Sequence, residues 1–284
     1  LGWADPVETI ETVELSPLPG QQSLLLTQDT SLTSQPVGAS PPPTRTDEPI
    51  LTTRPSFTDS WLTIPRGSFQ AENGATYTDN ANRTKSWVLP ETLLKVGLTD
   101  NIELRFATPN YINLRRDDDD ILVNEISHFG DMGVGLSLHR RLPGQIDLAV
   151  IPFLNLPTGA NKASSNSVDP QLRVVLARYL TSKWVIASQF DARWNTGRNR
   201  VADVILNPTF ITYYSFTEKI SGFAEYGGFI PTSGRTGQFI QGGLLYLPTR
   251  RQQFDVRVAT GLNRQSSDFL VGFGYSFRVD GLFP

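Results

Sequence analysis

The chain has 284 residues, no cysteine and a formal net charge of −3 at pH 7. The lack of cysteine excludes disulfides and thiolate-bound metal, and the faintly acidic balance gives no electrostatic reason to expect nucleic acid as a partner. No run of about 18 apolar residues occurs, which excludes helical membrane spans but not membrane strands, whose second face is polar.

Gly2 and Ala4 hold the two small positions of a small-x-small cleavage site before Asp5-Pro6. Leu1–Ala4 therefore reads either as the tail of a signal peptide or as an arbitrary start. Residues 1–63 differ in kind from the rest. Nine of the 20 prolines lie between residues 5 and 63, among many Ser, Thr and Gln. Such a stretch buries too little apolar surface to offset its ordering entropy, so a periplasmic tail or tether is the default expectation. Thr12, Glu14 and Ser16 alternate with Val13, Leu15 and Pro17, which supports the sharper reading of a plug or partner-binding segment.

From residue 64 to 284 the pattern changes to two-residue alternation, and twelve strands are expected. The first, 68–78, sets Phe69, Ala71, Ala75 and Tyr77 against Gln70, Glu72 and Gly74. The second sets Leu94, Val96 and Leu98 against Glu91, Lys95 and Gly97, and the third Ile102, Leu104 and Phe106 against Glu103 and Arg105. The fourth carries Met132, Val134, Leu136 and Leu138 opposite Asp131, Ser137 and His139. The fifth opposes Leu148, Val150 and Leu154 to Asp147 and Asn155; the sixth, Leu172, Val174 and Leu176 to Gln171 and Arg173. In the seventh, Trp184, Ile186, Phe190 and Trp194 share a face against Gln189, Asp191 and Arg193. Strands eight to ten (about 204–215, 220–231 and 237–247) leave their facing open. The eleventh sets Phe254, Val256, Val258 and Leu262 against Asp255 and Arg257. In the last, Phe269, Val271, Phe273, Tyr275, Phe277 and Val279 alternate with Gly272, Gly274, Ser276 and Arg278. Pro152 and Pro208 sit inside two of these runs, which a bulge would reconcile.

Connections alternate in length. Thr99–Asn101, Leu142–Gln145, Thr181–Lys183, Thr217–Lys219 and Pro248–Gln252 are short; Asp79–Lys85, Asn113–His128, Thr158–Asp169, Asn195–Asp203 and Thr232–Thr236 are mostly longer and more polar. Short turns at one end and long loops at the other is the arrangement of an outer-membrane barrel, and an even strand count puts both termini on the periplasmic side.

Alternation alone does not tell a membrane barrel from a soluble one. Trp184 and Trp194 lie on one apolar face, about 33 Å apart at about 3.3 Å per residue. A tilt near 40° projects this to about 25 Å, the height of the apolar band between aromatic girdles. Tyr275 and Phe277 extend that girdle. Of the five lysines only Lys95 falls within a strand, which does not suit a water-facing exterior. Glycines on the polar face (Gly74, Gly97, Gly133, Gly135, Gly261, Gly272, Gly274) thin a crowded lumen wall. The expected fold is an all-β, closed antiparallel transmembrane β-barrel of about twelve strands.

On that register the lumen-lining acids are Glu72, Glu91, Glu103, Asp131, Asp147, Asp191, Glu225 and Asp255. The bases are Lys95, Arg105, Arg173, Arg193, Arg257 and Arg278, with His139 beside them. The near balance of sign predicts no strong ion selectivity. The same charges would also serve as a cross-strand salt-bridge lattice that stiffens the wall. Leu93, Ile151, Phe153 and Val185 point inward as well, giving a partly apolar passage. Twelve strands fall between barrels filled by side chains and open porins, so the lumen is expected to be narrow. Ser137 and His139 share a face, with Asp131 further along it. Both point into the lumen, where hydrogen-bonding residues are the plainer reading than a hydrolase pair. Asp117–Asp120, behind Arg115-Arg116, lack the spacing of a rigid calcium site and read as a solvated loop. No metal, no catalytic set and no cofactor are expected.

Arg54-Pro55-Ser56-Phe57-Thr58-Asp59 and Pro65-Arg66-Gly67-Ser68-Phe69-Gln70-Ala71-Glu72 resemble the opening of the family labelled "putative MetA-pathway of phenol degradation". Leu89–Leu98 resembles that family's second strand, and Gly130–Gly135 and Leu156–Gly159 its later signatures, so the likeness spans about residues 54–279. The resemblance implies a transporter-like barrel associated with uptake of aromatic or other hydrophobic compounds, without a defined catalytic set. Gly272-x-x-Tyr275-x-Phe277 also resembles the C-terminal signal read by the outer-membrane assembly machinery, although here the chain runs on through Gly281-Leu282-Phe283-Pro284.

The leading expectation is therefore a bacterial outer-membrane channel, not an enzyme. It would pass small hydrophobic or aromatic solutes by passive diffusion, with membrane lipid and lipopolysaccharide around it and no nucleic-acid partner. Two rivals stand beside it: a non-transporting barrel that binds envelope partners, and an outer-membrane hydrolase.

Overall fold

A computed structural model describes residues 45–80, 84–116, 125–160, 163–197 and 204–283. Apart from one 3-10 turn at Arg45–Asp47, the described elements are strands. They run β1 (Phe69–Asn80), β2 (Thr84–Thr99), β3 (Ile102–Ala107), β4 (Tyr111–Arg116), β5 (Glu125–Phe129), β6 (Met132–Leu142), β7 (Ile146–Leu156) and β8 (Asp169–Tyr179). There follow β9 (Trp184–Trp194), β10 (Val204–Leu206), β11 (Thr209–Ser215), β12 (Ile220–Pro231), β13 (Gly237–Thr249), β14 (Gln252–Gly261) and β15 (Ser267–Val279).

Every pairing is antiparallel between neighbours, and β1 pairs with both β2 and β15. The sheet is therefore a closed barrel without a free edge. The fifteen segments make twelve staves, because three staves are interrupted. β3 and β4 form one, on either side of Thr108-Pro109-Asn110; β5 and β6 form the next, broken at Gly130-Asp131. β10 and β11 form another, broken at Asn207-Pro208. Proline has no N–H for the ladder, so the chain bends out of it and rejoins. At the second-stave break the Gly130 N–H reaches the Asn110 carbonyl at 2.8 Å, and at the third the Gly228 N–H reaches the Pro208 carbonyl at 2.9 Å. Pro152, by contrast, stays in register opposite Leu172.

Two expectations need correction. Lys85, counted with a loop, lies in β2 opposite Asp79 of β1, so Lys95 is not alone among the lysines in a strand. Residues 113–116 and 125–128 are strand rather than loop: β4 and β5 pair with each other, and β4 with residues 84–88 of β2. Ile112 and Leu114 alternate with Asn113 and Arg115 over too few residues to show as a pattern, and the aspartate run beside them masks it. Asp117–Asp120 itself lies outside the described residues, as do residues 1–44.

The two faces of the wall divide by chemistry. Leu104, Leu138, Leu172, Leu176, Trp184, Phe190, Trp194, Phe254, Val256, Val258 and Phe273 are exposed, while Lys95, Glu103, Arg105 and Asp147 have no solvent exposure at all. Charges inside and hydrocarbon outside reverses a water-soluble fold and matches a barrel solvated by lipid. The facing left open for strands eight to ten is settled by burial. Thr209, Ile211, Phe223, Glu225, Gln241 and Leu245 are buried, and Phe210, Tyr214, Tyr226, Ile240, Leu244 and Tyr246 are exposed. Tyr275 and Phe277 are half-exposed on the outer face of β15, where Tyr275 packs on Phe254 with ring centroids 4.9 Å apart and Phe277 on Phe69 at 6.4 Å.

Candidate functional site

Residues 45–67 belong to the same compact unit as the barrel and occupy its lumen. The segment is anchored first at the end of the barrel where β1 begins and β15 ends. There the Ile50 N–H donates to the Arg250 carbonyl at 2.7 Å, and Arg278 donates to the Thr46 and Glu48 carbonyls at 2.9 and 3.0 Å. It climbs through Thr52–Arg54, turns at Pro55–Thr58 and descends through Asp59–Ile64. Gly67, at a φ of 71°, makes the corner into β1. Its carbonyl accepts the Leu282 N–H at 2.8 Å, so the C-terminal extension past β15 closes over that corner.

A segment threaded through a barrel has no ladder to satisfy its backbone, and a buried, unpaired N–H is costly. Lumen side chains take over that role. One Glu72 oxygen accepts the N–H groups of Thr53 and Arg54 at 2.9 and 3.2 Å. Glu225 accepts those of Phe57 and Thr58 at 3.0 and 2.7 Å, and the Thr58 hydroxyl at 2.6 Å. The Gln189 amide oxygen accepts Asp59 N–H at 2.8 Å, and Glu103 accepts Ile64 N–H at 2.7 Å. Four staves thus hold the turn and its two limbs by single carboxylates or amides.

Two charged residues of the segment complete the lattice. Asp59 meets Arg105 at 2.5 Å and Arg173 at 3.1 Å, both from the wall, and Arg105 also holds Glu103 at 2.7 Å. Arg54 meets Glu91 at 2.6 Å and Asp255 at 3.6 Å. Lys95 pairs with Glu72 at 2.7 Å and donates to the hydroxyls of Thr53 at 3.0 Å and Ser60 at 3.2 Å. Burial alone would raise the Asp59 pKa, but the Arg105, Arg173 and Lys95 charges hold its carboxyl well below the usual carboxylate range. The wall glycines make the room: a β-carbon on Gly74 or Gly274 would run into the Arg54 guanidinium, and one on Gly97 into the Pro65 carbonyl.

Below this polar layer lies an apolar one. Trp61 packs among Ile151, Val175, Val185, Ile211, Phe223 and Leu245, all buried. Its ring centroid is 5.7 Å from that of Tyr213 and 6.4 Å from that of Tyr179. Ile151, Phe153 and Val185 are buried on the inner face, and Leu93 is half-buried.

The candidate residues fall into two groups. Glu72, Glu91, Lys95, Glu103, Arg105, Arg173, Glu225, Asp255, Arg257 and Arg278 all contact the internal segment. Asp147, His139, Asp191 and Asp131 do other work. Asp147 bonds His139 at 3.0 Å, Asp191 accepts the Gln171 amide at 2.8 Å, and Asp131 caps the Gly159 and Ser165 N–H groups at 2.9 and 2.8 Å. Arg193 lines a polar hollow with Asp131 and Asp169 at the far end from the termini. The lattice is thus aimed mainly at the segment rather than across neighbouring strands, although Lys95–Glu72 and Arg105–Glu103 do run along the wall. Sequence reading missed the segment's own Arg54, Asp59 and Trp61 and the lumen amide Gln253; Gln70 and Gln189 were set on the polar face but not counted among the candidates. The available signal was that the family-like motif begins at Arg54, inside the stretch read as tail or plug.

A hydrolase needs its nucleophile on its base. The Ser137 hydroxyl has no hydrogen-bond partner among the described residues, and the His139 Nε2 atom is turned to Asp147 instead.

Residues 52–279 match the family described as "Putative MetA-pathway of phenol degradation". The chain belongs to this family. Among solved structures, the COG4313 outer membrane channel from Pseudomonas putida F1 superposes with a TM-score of 0.63 at 17% identity, covering 78% of this chain and 98% of that one. The NanC porin superposes at 0.52 and 10% identity, covering 74% and 100%; the KdgM porin at 0.52 and 10%, covering 73% and 98%. The fold of this family member is therefore that of outer-membrane β-barrel channels. No curated protein sequence matches the chain.

Proposed function

We propose that the protein is an outer-membrane channel for small hydrophobic or aromatic solutes, closed in the structure seen here by its own 45–67 segment. Its termini face the periplasm, its outer face contacts membrane lipid and lipopolysaccharide, and the strand β15 signal serves the assembly machinery. The observation that carries the reading is how the segment is held. It makes no strand pairing with the wall among the described residues; its backbone meets wall backbone at its two ends, Ile50 on Arg250 and Gly67 on Gly97, and between them lumen side chains seat it. It can therefore leave without breaking any barrel hydrogen bond between strands. With the segment withdrawn, the lumen is a passage lined by balanced charge and an apolar band around Ile151 and Val185, through which solutes diffuse without cofactor. Planar-bilayer conductance and solute influx into proteoliposomes test this, comparing the parent chain with Asp59→Ala, which loosens the segment. A released segment with no gain in conductance or influx would overturn the channel reading. It would leave a barrel whose loops or tail bind envelope partners.

A further inference from the structure

The turn of the internal segment ends beside a cavity of about 290 Å³ at the end of the barrel away from the termini. That volume sits at the lower edge of the range for small-molecule sites, about 300–1,000 Å³. Its walls include Phe57 from the segment and Phe229, Phe239, Ala259, Gly261 and Leu270 from the barrel, and no charged residue lines it. Of its four polar side chains three are already committed, Thr260 donating to the Asp268 carbonyl at 3.0 Å, and the Gln265 amide is the fourth. The Ser266 hydroxyl donates to the Gln238 carbonyl at 2.7 Å, and the Ser267 hydroxyl to Asn80 Oδ1 at 2.6 Å. What is left to offer a ligand is chiefly aromatic and aliphatic surface.

Phe57 is held there with some precision. Its N–H is on Glu225, and its carbonyl accepts the Gln189 amide at 3.2 Å. Its ring lies 4.6 Å, centroid to centroid, from that of Phe239, and Arg257 lies 5.1 Å from it. Yet Phe57 remains 40% exposed, an incompletely covered aromatic ring in a segment that is otherwise mostly buried. Phe239 in turn lies over Gly227, where a β-carbon would collide with its ring. The two rings are fixed, adjacent and partly bare.

We infer that this cavity is a binding site for an uncharged, single-ring aromatic molecule, with Phe57 and Phe239 as its aromatic walls. Arg257, over the Phe57 ring, is outside the cavity lining and already donates to the Pro55 carbonyl and the Thr76 hydroxyl, so a charged ligand would lose its hydration there without gaining a partner. A consequence follows from where Phe57 is attached. The site is complete only while the segment is seated, so a ligand bound there must stabilise the seated segment by the same factor as seating strengthens its binding. The occupied cavity is then a loading state that precedes opening. This inference deepens the channel reading and rests on it for its role, although binding itself is measured separately.

The test uses the full chain in lipid nanodiscs with 4-fluorophenol, followed by ¹⁹F NMR, and benzoate as the charged counterpart. Saturable binding of 4-fluorophenol is expected, with benzoate weaker. Phe57→Leu and Phe239→Leu should each weaken it roughly three- to tenfold, the scale of one aromatic pair. Phe57→Leu alters no barrel residue, so its effect does not depend on barrel folding. Ser60→Cys, the sole thiol in that variant, should react more slowly with a maleimide when 4-fluorophenol is present. Unchanged affinity in Phe57→Leu, equal binding of benzoate, or labelling indifferent to 4-fluorophenol would overturn the inference. Solute flux without Phe57-dependent binding would sink this site and spare the channel; Phe57-dependent binding without flux in opened variants would do the reverse.

Discussion

Replacing Asp59 by alanine should unseat the internal segment. Asp59 is 3% exposed and faces Arg105 at 2.5 Å and Arg173 at 3.1 Å. Removing one partner of a buried ion pair costs about 3–5 kcal/mol, because the other charge is left without compensation. Glu103 still holds Arg105 at 2.7 Å, and Arg173 is partly hydrated, so the lower figure applies, about 3 kcal/mol. The penalty falls only on the seated state, since water reaches Arg105 once the segment leaves. At about 1.4 kcal/mol per factor of ten, the seated-to-released ratio falls roughly 150-fold. The chain has no native cysteine, so Ser60→Cys gives a single reporter, buried when the segment is seated. Its maleimide labelling rate in Asp59→Ala, relative to the parent background, reads that ratio directly. A rate within about twofold of the parent would show that the Asp59 pairs do not hold the segment, and the estimate above would be refuted.

Three further outcomes are expected. The Asp59 pKa is depressed on seating, so the stabilisation it gives is full above the free-aspartate value of about 3.9 and is lost only as pH falls through the lower seated value. Conductance should therefore be flat from about pH 8 to pH 5, and an opening transition near pH 6 would contradict the assignment. Gly97→Val places side-chain atoms where the Pro65 carbonyl lies, so it should raise Ser60→Cys labelling while a valine at exposed Leu244 does not. Leu244→Arg, on the outer face of β13, should reduce folding stability in lipid vesicles by about 2–4 kcal/mol if it lies near the bilayer midplane. Unfolding titrations in urea would show it, and no loss would argue against lipid at that face.

The barrel was legible because its signal is periodic and long. Trp184, Phe190 and Trp194 on one side of a single strand, with Gln189, Asp191 and Arg193 on the other, divide its faces, and the girdle-height span between the two tryptophans says which face meets lipid. Where irregular backbone interrupts the period, as at Pro109 and Gly130, the flanking β4 and β5 are too short to announce themselves. The lumen charges were legible as a set, but not in their purpose. Alternation says that Glu72, Glu225 and Arg105 point inward; it is silent on what they meet. Their partners lie in a Pro- and Ser-rich stretch whose composition predicts disorder when it is judged by its capacity to bury apolar surface. Residues 45–67 escape that rule because the barrel supplies their hydrogen-bond partners from outside the segment. Trp61 is its largest apolar anchor, joined by buried Ile50 and Ile64 and by Leu51 and Leu62 packed against the same apolar layer.

That division bears on how such a closure could be reversible. An apolar plug would gain stability from every buried carbon and would expose those carbons to water on leaving. A charged lattice behaves differently. Each buried ion costs several kcal/mol of desolvation, which its pairing largely repays, so the net gain is small against the gross interactions. When Asp59 and Arg54 withdraw, water rehydrates both them and Arg105, Glu91 and Asp255, and returns most of what was lost. The wall meanwhile keeps all of its strand pairing, closed through β1 and β15. Seating is thus decided by a small difference between large terms, within reach of one substitution or one ligand. The barrel around it lies far outside that range.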